Sequence, residues 1–231
     1  MPKMRSAKLA IKGMLQAKDW RENIPAVAAM GKAAVSPLFS LLLLDPETRH
    51  RAARALGETV NQLASADLES AKNVIRRFMW HMNEESGNIG WGIPDAFAEC
   101  LVANEALAQA YSSILCSYII DLGFDDNYCD HDILRRSCYW AIGRLAQARG
   151  DLAEKARPWL LKGLEDRDSV CRGMAAWALG NLRPELTDAP ALKKLAESGD
   201  EDGCEYFDNE RMIRDSVAHI AARSLARDMG N

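Results

Sequence analysis

The stretch LEDRDSVCRGMAAWALGNL (Leu164–Leu182) contains the pattern that decides the fold. Its first part is polar and rich in Asp, as in a loop, and its second part places small and apolar residues at helical spacing. The phrase Ala-Leu-Gly near its end returns in a second stretch, LLLLDPETRHRAARALGETV (Leu41–Val60). A phrase that recurs at a distance indicates internal repetition, and this has to be settled before other features are interpreted.

Three further segments carry looser versions of this phrase. The five copies are ARALGETV (Ala53–Val60), DAFAECL (Asp95–Leu101), YWAIGRLA (Tyr139–Ala146), AWALGNL (Ala176–Leu182) and HIAARSLA (His219–Ala226). Their equivalent positions lie 37 to 45 residues apart, and each copy follows another amphipathic stretch. A period of about 40 residues with two helices per unit is typical of an α-solenoid.

The two stretches that contain Ala-Leu-Gly resemble HEAT repeats, particularly the short HEAT repeats of phycobilisome-lyase-like proteins. The resemblance implies an all-α fold, a right-handed α-α superhelix (solenoid) of about five HEAT-like helical hairpins with an N-terminal capping helix. A β-rich fold is not expected, because no alternating run and no Asn-Gly hairpin signal occurs. We expect one repeat domain over residues 1–231, with the cap at 1–30 and repeats at about 31–63, 64–107, 108–149, 150–183 and 184–229.

Composition and charge fit a protein with a buried core. Of the 231 residues, 48% are hydrophobic and 27% are charged, and the formal net charge is −4. Acidic residues concentrate in three stretches that join the first helix of a unit to its second helix, residues 83–92, 123–132 and 198–211. We expect these stretches to form an acidic rim, and the rest of the chain to carry a net positive charge.

Neither a membrane span nor a metal site is expected. No apolar run approaches the ~18 residues that a span needs, and the basic N terminus lacks the features of a secretory signal, so we predict a cytoplasmic protein. The six cysteines should be reduced, because no Cys-x-x-Cys pair occurs. Cys129 and His131 are too sparse for a structural zinc site and no EF-hand spacing occurs, so we predict no metal and no cofactor.

The residue before each repeated Ala-Leu-Gly position is expected to face the concave side of the solenoid. Two successive copies carry a tryptophan there, Trp140 and Trp177. Exposed indoles favour a stacking platform or a protein-binding anchor, unless neighbouring side chains bury both rings. With neighbours one helical turn away, the candidate binding face comprises Trp91, Asp95, Glu99, Arg136, Trp140, Arg144, Trp177 and His219.

A second candidate site is the loop of the second repeat, MWHMNEESGNIGWGIPDAF (Met79–Phe97). Its glycines permit backbone conformations that are closed to other residues, and loops on a rigid scaffold often carry function. The candidate residues of this loop are Trp80, His81, Glu84 and Glu85. The alternative is a surface connection with two solvated glutamates and ordinary core indoles.

The expected function is that of a non-catalytic scaffold or adaptor for a protein partner. Common catalytic signatures such as GxSxG, the P-loop, GxGxxG and HExxH are missing, so no catalytic residue is assigned. The main alternative is an enzyme resembling HEAT-like alkylpurine DNA glycosylases, which place tryptophans and a carboxylate on a concave face. The acidity of the chain disfavours nucleic acid. A further alternative is a phycobilin-lyase-like subunit, in which Trp140 and Trp177 would line a tetrapyrrole groove.

Overall fold

The structure is a computed structural model that describes residues 2–83, 90–124 and 126–229. Its helices are α1 (Pro2–Gln16), α2 (Trp20–Ala28), α3 (Lys32–Leu41), α4 (Pro46–Ala66), α5 (Leu68–Met82), α6 (Ile93–Ala103), α7 (Glu105–Ser117), α8 (Asp132–Ala153), α9 (Arg157–Gly163), α10 (Ser169–Leu179), α11 (Asp188–Ala196) and α12 (Val217–Met229). A 3₁₀ turn at Glu154–Ala156 leads into α9. The expected all-α fold class, with paired helices, is confirmed. Within the described ranges, no helix has the length and apolarity needed to cross a membrane.

The chain forms two compact units, Met1–Tyr111 and Ser112–Asn231. In the first unit, α4 is the central helix and packs against α2, α3, α5 and α6. Local sequence fixes where α4 begins, because the Asp45 side chain accepts a hydrogen bond of 3.0 Å from the Thr48 N–H and Pro46 occupies the first turn. The N-terminal segment forms two helices, α1 and α2, where one capping helix was expected.

In the second unit, the later helices of successive pairs pack side by side, α8 against α10 and α10 against α12. Small residues permit this close packing. A Cβ atom added at Gly143 on α8 would lie 2.5 Å from the Trp177 ring on α10, so only glycine fits there. The start of α10 is capped by Asp168, which accepts a hydrogen bond of 2.9 Å from the Cys171 N–H.

A β-hairpin connects α11 to α12. Strands β1 (Gly203–Asp208) and β2 (Arg211–Ser216) pair antiparallel, in a register from Gly203↔Ser216 to Asp208↔Arg211. The two turn residues, Asn209 and Glu210, have φ angles of 46° and 63°, as a tight turn between twisted strands requires. The sequence-based prediction missed this hairpin because the turn is Asn-Glu and lacks the glycine that usually marks such a turn.

Arginines on α4, α8 and α10, one buried and two half-buried, hold loops to the second helix of a pair. Arg135 on α8 is 2% exposed and donates two hydrogen bonds, of 2.8 and 2.9 Å, to the Asp166 carboxylate. Arg172 donates to the Asp166 carbonyl at 2.9 Å, and Arg49 in the first unit donates to the Leu42 carbonyl at 2.9 Å. A buried guanidinium such as that of Arg135 is tolerated only when it is paired in this way, so Arg135 has a structural role.

All six cysteines are free and buried, which confirms the expectation of reduced thiols. Burial raises the pKa of the Cys116 thiol to about 12. A thiol with so high a pKa carries almost no thiolate at neutral pH and is therefore unreactive.

We expect Gly143→Ala to destabilise the protein by about 1–3 kcal/mol, because the added methyl group would push α8 away from the Trp177 ring. Urea unfolding monitored by far-UV circular dichroism measures this change. Gly150→Ala is the control, since Gly150 lies just beyond the kink of α8 at Arg149 and a Cβ there meets no atom within 4 Å. Equal stability of the two variants would contradict the packing argument.

Candidate functional site

The second unit presents one helical surface that contacts the β-hairpin. We call it the second-helix face, because α8, α10 and α12 are each the second helix of a pair. Its members are Trp140 and Gln147 on α8, Gly173 and Trp177 on α10, and Arg223 and Arg227 on α12. The face includes both tryptophans that the sequence singled out.

The two indole rings stack on each other beneath the hairpin. The ring centroids of Trp140 and Trp177 are 6.2 Å apart and the ring planes differ by 7°. The two residues are 6% and 3% exposed. The expectation that both rings face open solvent is therefore wrong, and the reason is that the chain covers them with its own hairpin.

Strand β1 meets the tryptophans through a backbone group and an aromatic ring. The Trp140 Nε1–H donates a hydrogen bond of 2.8 Å to the Phe207 carbonyl. The Tyr206 ring packs against the Trp177 ring with 5.4 Å between centroids. Trp177 Nε1, in contrast, is buried and has no hydrogen-bond partner within the part of the chain that the structure describes. The hairpin therefore satisfies one indole donor and leaves the other unpaired.

A glycine allows the hairpin to lie this close to α10. A Cβ atom at Gly173 would be 2.7 Å from the Cys204 sulfur. Cys204 and Tyr206 are buried and alternate with exposed Gly203 and Glu205, as expected for a strand that covers a surface. This alternation is the sequence signal from which the strand was predictable.

Charges at the edge of the second-helix face complement those of the hairpin. Asp215 on β2 accepts hydrogen bonds from His219 and Arg223 at distances of 2.8 Å each, and Arg223 also donates to the Tyr206 hydroxyl at 2.7 Å. Burial raises the pKa of Tyr206 to about 12, so it stays a neutral phenol. His219 is exposed, as its position in the candidate binding face implied.

The acidic stretch 198–211 is solvated only in part: Glu201, Asp202 and Glu205 are exposed, whereas two other carboxylates turn inward. Asp208 is 13% exposed, accepts a hydrogen bond of 2.8 Å from Gln147, and lies 3.8 Å from the Arg227 guanidinium. Asp200 is 12% exposed and pairs with Arg172 at 2.5 Å. These carboxylates turn inward because basic side chains of α10 and α12 are available to them.

Arg136 pairs with Asp168, the residue that caps the start of α10. Its guanidinium donates hydrogen bonds of 2.9 and 2.6 Å to the two carboxylate oxygens of Asp168. Burial acts to raise the pKa of Asp168, but the hydrogen bonds from Arg136 and the Cys171 N–H outweigh it and lower the pKa to about 2. Arg144, one helical turn beyond Trp140, is half-buried.

The candidate residues of the first unit lie on or next to α6. Glu99 is 1% exposed and pairs with Arg54 on α4 at 2.6 Å, so its expected place on an open surface is wrong. A carboxylate opposite an arginine on the packed neighbouring helix is held inside by that charge pair. Trp91 and Asp95 are half-buried.

The loop candidates are described in part. Trp80 is 59% exposed and its ring meets that of His81 edge-on, with 5.1 Å between centroids. The His81 ring also lies 5.7 Å from the Phe39 ring, which ties it to α3. Glu84 and Glu85 lie outside the described residues.

A separate cavity of about 380 Å³ opens beside the loops of the second unit. It is lined in part by Tyr128, Tyr139 and Trp159. Lys162 lies 3.3 Å from Asp121 and 5.2 Å from the Trp159 ring centroid. Across the described ranges, no three His, Cys, Asp or Glu side chains are grouped to hold a metal ion.

Comparisons with known proteins agree with this architecture. The family model described as HEAT-like repeat matches residues 132–182, which contain α8, α9 and α10. An uncharacterized protein of Archaeoglobus fulgidus is 25% identical over 177 residues, covering 76% of this chain and 86% of that protein. A designed armadillo repeat protein in complex with the peptide (KR)4 has a TM-score of 0.51 at 18% identity, covering 95% of this chain and 98% of that one.

An engineered protein has a TM-score of 0.56 at 17% identity, covering 99% of this chain and 92% of that one. At such low identity these structural likenesses show the fold alone. Together with the matched repeat, they confirm the resemblance to HEAT repeats.

Trp140→Phe should loosen the hairpin, because it removes the donor to the Phe207 carbonyl at a cost of about 1 kcal/mol. Hydrogen exchange of residues 203–216 measured by mass spectrometry should become about fivefold faster. Trp177→Phe is the matched control, since it makes the same ring change without losing a hydrogen bond. Equal acceleration in both variants would show that the bond to Phe207 contributes nothing.

The pairing of Asp168 predicts a pH dependence of stability. Because folding lowers the pKa of Asp168 from 3.8 to about 2, its contribution is complete above pH 4 and is lost as the pH falls toward 2. Over that interval, the free energy of unfolding of the unmodified protein should fall by about 2 kcal/mol more than that of Asp168→Asn. Urea titrations of both proteins at several pH values measure the difference, and parallel curves would contradict the assignment.

Proposed function

We propose that this chain, a HEAT-like repeat protein, is a non-catalytic scaffold that binds a partner protein through an extended segment laid along the second-helix face. One observation carries the proposal. The face already holds an extended segment, strand β1, by a side-chain hydrogen bond to its backbone and by packing of the Tyr206 ring, tilted by 58°, against the Trp177 ring.

These contacts are of the kind that repeat scaffolds need for binding peptides. A donor on a helix that reaches a backbone carbonyl recognises any extended chain, while pockets for alternate side chains supply selectivity. Trp140 supplies the donor, and the ring of Trp177 supplies an aromatic contact. The helices themselves are fixed by close packing, so little order has to be gained when a segment binds.

The charge of the face favours an acidic partner. Arg223 and Arg227 pair with Asp215 and Asp208 of the hairpin, and Arg144 lies one turn from Trp140. The designed armadillo protein of similar fold was solved with the basic peptide (KR)4. Arginines on the present face would repel such a peptide and attract carboxylates, since complementary charge steers association and selects the partner.

The nucleic-acid and tetrapyrrole alternatives receive less support. Both relied on Trp140 and Trp177 as exposed rings, and the hairpin covers both. Base stacking needs an accessible aromatic face.

Selection of a random displayed-peptide library on the immobilised full chain tests the proposal. We expect enrichment of acidic peptides, with dissociation constants in the micromolar range by fluorescence anisotropy. Arg144→Glu should weaken their binding by about tenfold, because it places a negative charge one helical turn from Trp140 of the second-helix face. Arg167→Glu is the control, since Arg167 is 74% exposed but lies in the loop before α10.

Three results would count against the scaffold. They are a selection without enrichment, an equal loss of affinity in both variants, and binding of duplex DNA that weakens steeply with salt. The last result would favour the nucleic-acid alternative instead.

A further inference from the structure

We propose that the hairpin 203–216 is a removable occupant of the second-helix face, and that it imitates the segment of the partner that binds there. This inference rests on the proposed function and adds the chemistry of the partner. The segment is an extended strand with an aromatic side chain followed two positions later by a carboxylate, as Tyr206 and Asp208 are placed in β1.

The hairpin is a self-contained insertion between two helices that pack without it. The Val217 N–H donates to the Asp202 carbonyl at 3.1 Å, and the Ala218 N–H donates to the Asp200 carbonyl at 3.0 Å. The chain therefore enters and leaves the hairpin at almost the same point. Helix α12 contacts both α10 and α11 directly, so the helical pairs do not depend on the strands for their connection.

A small set of contacts holds the hairpin down. On β1 these are the Phe207 carbonyl with Trp140, the Tyr206 ring with Trp177, and the Asp208 carboxylate with Gln147. A two-stranded hairpin is marginally stable in water, so its docked state depends on such contacts. The opening of this segment should therefore require less free energy than unfolding of the helices beneath it.

The fit of the hairpin is incomplete at one donor. Trp177 Nε1 is buried without a hydrogen-bond partner in the described part of the chain, and an orphaned buried donor is costly. A strand that offers a carbonyl to this indole as well as to Trp140 would satisfy both donors. Such a strand would bind the face better than the hairpin does, and this gives an external partner the means to displace it.

The remaining contacts define what the partner must carry. The Tyr206 hydroxyl and the Asp208 carboxylate both meet arginines, Arg223 at 2.7 Å and Arg227 at 3.8 Å. A tyrosine followed by any residue and then an aspartate reproduces these contacts. A lysine or arginine in place of that aspartate would be repelled by Arg227. The partner segment is thus acidic and aromatic.

The test uses a variant in which a short Gly-Ser linker replaces residues 203–216, with a fluorescein-labelled peptide of residues 201–217 as the probe. Anisotropy should show that the peptide binds this variant in the micromolar range and binds the full chain about tenfold more weakly. The same peptide with Tyr206→Ala and Asp208→Asn should lose about tenfold in affinity for the variant. The proposal would be overturned if the variant folds but does not bind the peptide. It would also be overturned if the peptide binds the variant and the full chain with equal affinity.

Hydrogen exchange on the unmodified full chain tests the proposal even if the shortened variant fails to fold. The amides of residues 203–216 should exchange while α8, α10 and α12 stay protected, and an excess of unlabelled peptide should accelerate that exchange. If the hairpin amides exchange at the same rate as those of the helices and the peptide has no effect on that rate, the hairpin is a permanent part of the core. That result would overturn the present inference and leave the library selection as a separate test of the scaffold.

Discussion

The stack of Trp140 on Trp177 is the contact on which the organisation of the second unit depends. Gly143 brings α8 so close to α10 that the Trp177 ring fills the space where a methyl group would otherwise lie. The two large rings then form a surface that is too apolar to remain in water. The hairpin covers this surface and supplies the carbonyl that the Trp140 indole needs. A packing constraint between two helices thus leads to a site that holds extended backbone.

The same unit shows why the net charge of a chain is a poor guide to its surfaces. The sequence carries a formal charge of −4, and two carboxylates of one acidic stretch turn inward onto arginines of α10 and α12. Basic side chains that the net charge does not indicate lie locally beside the hairpin, Arg223 and Arg227 of α12 among them. Recognition depends on this local complementarity more than on the total.

Local sequence predicted the helical pairs well, because their signals lie within a few residues of each other. Asp45 and Asp168 cap helices at the predicted loop ends, and apolar residues recur at helical spacing between them. The candidate site was harder to predict. Glu99 was expected at the surface, yet it pairs with Arg54, which lies in the preceding helical pair. No local pattern identifies a partner so far away in the chain.

The sequence by itself indicated the HEAT-like repeat and its paired helices, since both follow from spacing along the chain. It also singled out Trp140 and Trp177 as a departure from the polar residues that their column normally holds. Whether those rings would be open or covered was decided only in three dimensions. Their cover comes from residues 203–216, and the hydrogen bond from Trp140 to Phe207 joins residues that are 67 positions apart. Contacts over such a separation depend on how whole helices pack, so they leave no periodic signal in the sequence.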